Sequence, residues 1–331
     1  MLEHGGNLHA ASQKYDIPVT AWLDLSTGIN PNGWPVPTSF PAELWSQLPH
    51  QDDGLVTAAQ DYYQCESLIA VAGSQAAIQA LPYLRGKSRV GIMTPAYAEH
   101  AYAWQQAGHE VIKLDIDTIT NAIAQLDVLV IINPNNPSAE QFSSEQLISW
   151  HQQLAGKGGW LIVDEAFIDS ESDQSLAKHC PLEGLIVLRS LGKFFGLAGL
   201  RVGFVLAETT FLKQLADRLG PWPIAHASRY IAQLALQDKT WQQQCCHKLS
   251  EQGQRLQQLL NKVGLAPDGS CTLFQWLKTE KAEAIHHSLA QQGILTRLFN
   301  TPASLRFGLP KTEDDWQQLE TALQQWTVHD S

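Results

Sequence analysis

The segment Ser190-Leu-Gly-Lys193-Phe-Phe-Gly-Leu-Ala-Gly-Leu-Arg201 sets a lysine in a small, Gly-rich turn, with a hydroxyl three residues before it and an arginine eight residues after it. An amine placed this way can condense with a carbonyl, and a hydroxyl with a guanidinium suits a phosphate. A cofactor carrying both an aldehyde and a phosphate would use all three. A surface turn with one lysine is common, so the segment gains weight only from what stands upstream of it.

Pyridoxal phosphate (PLP) chemistry needs four things from a protein, and the chain offers candidates for each in order. The first is the lysine, Lys193. The second is a carboxylate to keep the pyridine nitrogen protonated. Asp164 ends an apolar strand in Val163-Asp164-Glu165-Ala166-Phe167. A buried carboxylate there must find a cationic or hydrogen-bonding partner. Glu165 is a second option, but the strand-end position favours Asp164. The third is a phosphate cup. Gly73-Ser74-Gln75 falls between a strand and a helix, where free N–H groups and the helix dipole attract an anion, and Ser190 and Arg201 would close it. The fourth is control of the ring. Tyr97 could stack on the pyridine, and Asn136, in Asn133-Pro-Asn-Asn136-Pro137, could donate to O3′. Taken singly, these are also a loop lysine, a helix cap, a core tyrosine and an Asn-Pro turn. Their common placement sets them apart. Catalytic roles fall to Lys193, Asp164 and Tyr97, with no metal expected.

Short apolar runs alternate with amphipathic helices. Strands are expected over 67–73, 89–94, 110–114, 126–133, 160–164, 184–189 and 202–207, and helices from about 74, over 98–108 and over 143–155. This is an α/β pattern: a mostly parallel central sheet with helices on both faces. Ligands of such sheets bind beyond the carboxyl ends of the strands. Gly73, Ser74, Tyr97, Asn136, Asp164 and Lys193 all sit just past strand ends. Residues 1–40, rich in Gly, Asn and Pro, read as an extended arm with tight turns rather than helix. After Pro221-Trp-Pro223 a helical stretch runs over 225–263, with a break near Asp238. Strands over 272–278, 294–298 and 304–308 follow, with helices over 280–292 and 312–326, forming a smaller α+β unit. The division expected is an arm of 1–40 joining the smaller domain and the active site, a large cofactor-binding domain of 41–222, and a small C-terminal domain of 223–331.

The 331 residues carry 22 basic and 33 acidic side chains, a net charge of −11, which disfavours nucleic acid and anionic membranes. A local arginine pair can still hold a small anionic substrate. No apolar run approaches the roughly 20 residues of a membrane span, and the N-terminus shows no secretion signal. The five cysteines, Cys65, Cys180, Cys245, Cys246 and Cys271, show no zinc-ligand spacing. They fit buried free thiols in a reducing compartment, so a cytoplasmic location is expected.

With these residues in place the chain resembles the fold-type I PLP enzymes, the aspartate aminotransferase superfamily, over nearly its whole length. The nearest branch holds histidinol-phosphate aminotransferases and threonine-phosphate decarboxylases. His4-Gly5-Gly6-Asn7 and Leu23-Asp-Leu-Ser26-Thr-Gly-Ile-Asn30-Pro-Asn-Gly33 resemble the opening of the decarboxylase group, as does Leu48-Pro49-His50-Gln-Asp-Asp53-Gly54-Leu55. The resemblance implies loss of CO₂ from L-threonine O-3-phosphate to give (R)-1-amino-2-propanol O-2-phosphate, in cobalamin biosynthesis. It implies a homodimer, with a phosphorylated amino acid as its small-molecule partner. It makes Lys193 the Schiff-base residue, pairs Asp164 with the pyridine nitrogen and puts Gly73, Ser74, Gln75, Ser190 and Arg201 around the phosphate. Arg306 would hold the substrate carboxylate and Arg297 its phosphate, with His4, Gly6 and Asn30 completing the pocket. Two positions depart from the pattern: Phe167 stands where relatives often have Tyr, and Leu48 where they often have the Tyr of a Tyr-Pro pair. The alternative the same residues allow is a histidinol-phosphate, or related, aminotransferase. A dinucleotide site at Gly196-Leu-Ala-Gly199 is excluded because GxGxxG is absent.

Overall fold

The computed structural model describes residues 4–50 and 52–330. The first three residues of the expected arm, and Gln51 within the 48–55 motif, lie outside the described residues. The chain forms two compact units: one of Gly33–Asn136 with Gln141–Gln244, the other of residues up to Asn32 with Pro137–Glu140 and Cys245 onward. This division differs from a line drawn at Pro221–Pro223. The helix His226–Gln237 packs on the helix Leu55–Tyr63 within the larger unit, and the change of unit falls inside the helix Lys239–Lys262.

The larger unit is built on a seven-stranded sheet. Its strands are β1 (Leu68–Val71), β2 (Arg89–Met93), β3 (Glu110–Leu114), β4 (Val128–Ile132), β5 (Trp160–Asp164), β6 (Leu185–Ser190) and β7 (Gly203–Leu206), in the order β1-β7-β6-β5-β4-β2-β3. Every pair is parallel except the two made by β7, which runs against both β1 and β6. All of β4 and β7 is buried, as the unbroken apolar runs require of strands covered on both faces. Helices Gly73–Ala80, Ala98–Gln106 and Thr209–Leu219 cover one face, where Ile78, Trp104 and Leu215 pack on Val130, Ile162 and Leu188.

Topology decides where chemistry can sit. The parallel strands all end at one edge of the sheet. The reversed strand β7 begins at that edge, so the register sets Val71, Gly203 and Ser190 side by side and delivers the preceding Arg201 to the same place. The chain leaves β2 outward to β3 and leaves β4 the other way to β5, which makes β2/β4 the switch point of the order. Tyr97 and Asn136 follow these two strands.

The smaller unit holds an antiparallel sheet of β8 (Gly269–Cys271), β9 (Phe274–Lys278), β10 (Arg297–Asn300) and β11 (Ala303–Gly308), ordered β10-β11-β9-β8. The single strand expected over 272–278 is therefore a hairpin with an earlier first strand. The strand expected over 294–298 is two: Ile294–Leu295, paired in parallel with Leu23–Asp24, and β10. The arm is not wholly extended, which corrects the sequence reading. Leu8–Tyr15 is a helix, capped by the Asn7 side chain accepting from the Ala10 amide at 3.2 Å. The Gly, Asn and Pro residues that suggested turns flank this helix and do not enter it. Among the described residues, no helix is long and apolar enough to cross a membrane.

Gly203 carries the close approach of β7 to β6 and to the start of the helix Gly73–Ala80. A Cβ there would lie 2.6 Å from the Ser74 nitrogen and 2.7 Å from the Arg189 oxygen, both backbone atoms that cannot swing away. Gly203→Ala is expected to lose about 1–3 kcal/mol of stability, read as a lower urea midpoint at unchanged slope.

Candidate functional site

Lys193 stands in a turn that folds back on β6. Gly196 N–H donates to the Lys193 carbonyl at 3.1 Å, and Leu197 N–H to the Leu191 carbonyl at 3.2 Å. The next two side chains pin this turn. Phe194 and Phe195 are buried, and Phe195 stacks on Trp241 with centroids 5.6 Å apart. Fixed by these anchors, Lys193 presents its Nζ 5.2 Å from the ring centroid of Phe167. The aromatic face at 167 is therefore in use although the family's common hydroxyl is missing. An ammonium over a ring is attracted by the quadrupole.

Two adjacent carboxylates at the end of β5 have opposite surroundings. Glu165, fully buried, accepts from Ser175 Oγ at 2.5 Å, the Leu176 amide at 2.7 Å and Arg189 Nη1 at 3.1 Å. Arg189 also donates to Asp169 at 2.7 Å and lies over the Tyr63 ring, while Tyr62 donates to Asp169 at 3.0 Å. Burial pushes the Glu165 carboxyl up and the Arg189 guanidinium pulls it back. This closed cluster holds β5 to β6 and commits Glu165 to structure. Asp164, 4% exposed, instead takes a bond from the Ala166 amide at 3.1 Å and pairs with His100 Nε2 at 2.9 Å.

Sequence reading did not include His100. It lies in the first turn of the helix that begins just after Tyr97, and its ring meets the Tyr97 ring edge-on at 6.3 Å. The one sequence signal was its spacing, three residues beyond Tyr97, which turns it toward the sheet. Its partner stands 64 positions away. Burial pushes the Tyr97 phenol up to about 12, so it stays protonated and donates to Gln75 Oε1 at 3.2 Å. Gln75 in turn donates to Glu99 at 2.8 Å. Asn135 ties the two switch-point loops together by donating to the Pro95 carbonyl at 2.8 Å, and Asn133 holds Phe142 through bonds at 2.9 and 3.1 Å. The half-buried Asn136 follows these anchors.

The other cofactor candidates form a cup. The helix Gly73–Ala80 begins without a side-chain cap, which leaves its first amides for an anion. Gly73 adopts φ +69°, and a Cβ there would meet Arg201 Nη2 at 2.7 Å. Only glycine lets the guanidinium lie against the helix start. Ser190 Oγ accepts from the Gly192 amide at 3.2 Å beside it. Amides, hydroxyls and a guanidinium around one small space are the donor set of a phosphate.

The substrate candidates lie in the smaller unit. A cleft of about 1480 Å³ there is lined by His4, Gly6, Ser26 and Arg297 among others. Arg306 stands directly across from Arg297 in the β10–β11 register and donates through Nη2 to the Ser26 carbonyl at 2.6 Å. Ser26 Oγ accepts from Gly6 N–H at 2.7 Å and donates to Asp24 at 2.6 Å, so one residue joins arm, cleft and arginine. Burial lowers the Arg306 guanidinium to about 10, and the neighbouring Arg297 adds to this. Asn30 is buried apart from the cleft lining, donating to Cys245 Sγ at 3.2 Å and accepting from the Asn32 amide at 2.9 Å.

The family model of aminotransferase class I and II matches residues 47–323. A threonine-phosphate decarboxylase of Pseudomonas aeruginosa is 50% identical over 98% of this chain and 97% of its own length. A threonine-phosphate decarboxylase of a Sinorhizobium species is 37% identical, covering 97% of both chains. Among solved structures, the histidinol-phosphate aminotransferase of Clostridium acetobutylicum superposes with a TM-score of 0.83 at 22% identity, over 93% of this chain and 99% of that one. The chain belongs to the aminotransferase class I and II family.

Proposed function

We propose that this chain is a PLP-dependent carboxy-lyase that removes CO₂ from L-threonine O-3-phosphate, leaving (R)-1-amino-2-propanol O-2-phosphate for cobalamin biosynthesis. The observation that carries this reading is the 50% identity, across almost the whole chain, to a protein named threonine-phosphate decarboxylase. The larger unit's residues suit the cofactor. The phosphate cup of Ser74, Ser190, Arg201 and the uncapped helix start takes the phosphate, Asp164 suits a protonated pyridine nitrogen, and the half-buried Lys193 amine suits the aldehyde. Bound PLP supplies electron withdrawal from the Cα of an amino acid joined to it.

The protein's part is to hold, orient and move protons. Asp164 is fixed at one carboxylate oxygen by His100 and at the other by the Ala166 amide. Tyr97 supplies a flat ring and Asn136 a donor at the switch point. Which bond at Cα would break depends on how the chain's residues hold the substrate. Positioning carboxylate and phosphate therefore selects decarboxylation over transamination. Arg306 takes the carboxylate, since a buried guanidinium gains most from an anion, and Arg297 with His4 takes the phosphate. Gly6 and Asn30 shape the arm around them. Lys193 Nζ returns a proton to Cα once CO₂ has left.

Two copies are proposed to associate through the larger unit. Trp45, Leu48 and Trp222 are 69%, 61% and 58% exposed, a costly display of apolar surface for a lone chain. No disulfide joins the five cysteines, four of which are buried, and this suits a reducing cytoplasm.

Two measurements test this reading. PLP-loaded protein mixed with L-threonine O-3-phosphate, without any oxo acid, is expected to release stoichiometric CO₂. Arg306→Ala should lower kcat/KM by about 30- to 1000-fold, from the roughly 2–4 kcal/mol of an aimed charged contact. Turnover of histidinol phosphate only on adding 2-oxoglutarate would instead make it an aminotransferase. Sedimentation is expected to give twice the chain mass, with Trp222→Glu shifting the protein to monomer; a parent monomer removes the dimer.

A further inference from the structure

We infer that His286 is a further phosphate-binding residue of the cleft in the smaller unit, and that it takes up a proton when a phosphomonoester dianion enters. The inference rests on the reading above that this cleft receives the substrate phosphate.

The cleft is lined by His4, Lys14, His286, His287 and Arg297 against only two carboxylates, Glu280 and Glu283. With histidines counted neutral, as in the chain's net charge of −11, the lining balances Lys14 and Arg297 against the two carboxylates and adds three imidazoles beside them. His286 lies half-buried on the helix Ala282–Gln291, and its Nδ1 meets Thr296 Oγ1 at 2.8 Å. Thr296 directly precedes Arg297, so this bond holds the imidazole beside the strand that carries the arginine. His287, the next residue, is tied elsewhere, to the Tyr15 hydroxyl at 3.1 Å.

The surroundings of His286 work against its charged form. Burial pulls the imidazole below its ordinary value, and Lys14, His287 and Arg297 push the same way, with only Glu283 opposing. In the absence of an anion the ring is therefore neutral near pH 7, with one bare nitrogen. A dianion reverses the balance: it offsets the charges of Lys14 and Arg297 and offers oxygen acceptors to the ring. One proton then moves from solvent to the bare nitrogen. Both ring nitrogens become donors, toward the Thr296 hydroxyl and the phosphate. No other bond changes. The sign is fixed by the shift. Binding raises the His286 value, so this contribution to affinity grows as pH falls from the bound-state value toward the free-state value. The ligand's own second ionisation, near pH 6 for a phosphomonoester and higher for inorganic phosphate, runs the other way. The comparison therefore has to be made between proteins at one pH.

The experiment is calorimetric titration of the PLP-loaded protein with inorganic phosphate at pH 7.5, in two buffers of different ionisation enthalpy. With the cofactor in place, its own phosphate cup is filled. The parent is expected to take up more protons on binding than His286→Asn does. His286→Asn keeps a contact to Thr296 but cannot gain a proton. It should lack that extra uptake and bind phosphate about three- to tenfold more weakly, the range of one charge-assisted hydrogen bond. Arg297→Ala should lose binding more severely, which locates the anion in this cleft. Equal proton uptake in parent and His286→Asn overturns the inference, and so does phosphate binding untouched by Arg297→Ala. The CO₂ assay reports separately on the reaction. Proton uptake at His286 without CO₂ keeps the site and removes the decarboxylase; CO₂ with equal uptake in both proteins does the reverse.

Discussion

A carboxylate sealed at the end of a buried strand is stable only with a partner, because an unpaired buried charge costs many kcal/mol. The end of β5 carries two of them in succession, and the larger unit's site depends on how each is satisfied. Glu165 is closed in by Arg189, Ser175 and the Leu176 amide, with Asp169 and two tyrosines around the same guanidinium. Asp164 is met by His100 and one backbone amide. The first arrangement uses up its charge internally and welds β5 to β6. The second gives each oxygen one partner and leaves acceptor capacity at the edge of the sheet where the parallel strands end. Neighbouring residues of nearly the same chemistry thus do different work, and the difference comes from the strand's alternation and from what the adjacent elements bring.

The same edge gathers donors that suit a phosphate through one reversed strand. Were β7 parallel, its leading residue Arg201 would sit at the opposite end of the sheet. Running antiparallel between β1 and β6, it brings Arg201 against Gly73 and beside Ser190. Two glycines make the approach fit: Gly73 through its left-handed φ, Gly203 through the absence of a Cβ against two backbones. Lys193 is set by a turn whose neighbours Phe194 and Phe195 are driven into the core. Hydrophobic burial therefore places the amine, and the electrostatics around it are left for function.

What could be read from the sequence follows from the range of the interactions involved. Strands buried on both faces must be apolar throughout, so β2, β4, β5 and β6 announced themselves, and residues just past their ends could be named as a site. Asp164 and Lys193 can be named as candidates for this reason. His100 cannot, because its partner lies 64 positions away and a histidine on a helix carries no mark of what it faces. The helix Leu8–Tyr15 was hidden by turn-forming neighbours at both of its ends. The β8–β9 hairpin and the split after Leu295 depend on which strand each segment pairs with, and local pattern does not encode that. Kinship in the opening motif named the arm's residues, but only folding shows Ser26 joining Gly6, Asp24 and Arg306. It also shows that Asn30 is turned instead toward Cys245.

On the proposed reading, Asp164, held by His100, keeps the cofactor's ring nitrogen protonated. The most direct measurement is the ¹⁵N chemical shift of PLP labelled at that nitrogen, bound to the parent protein and to Asp164→Asn. The account predicts a protonated-pyridine shift in the parent, moving to the unprotonated position when the carboxylate becomes an amide. An unprotonated nitrogen in the parent, or the same shift in both proteins, would contradict it.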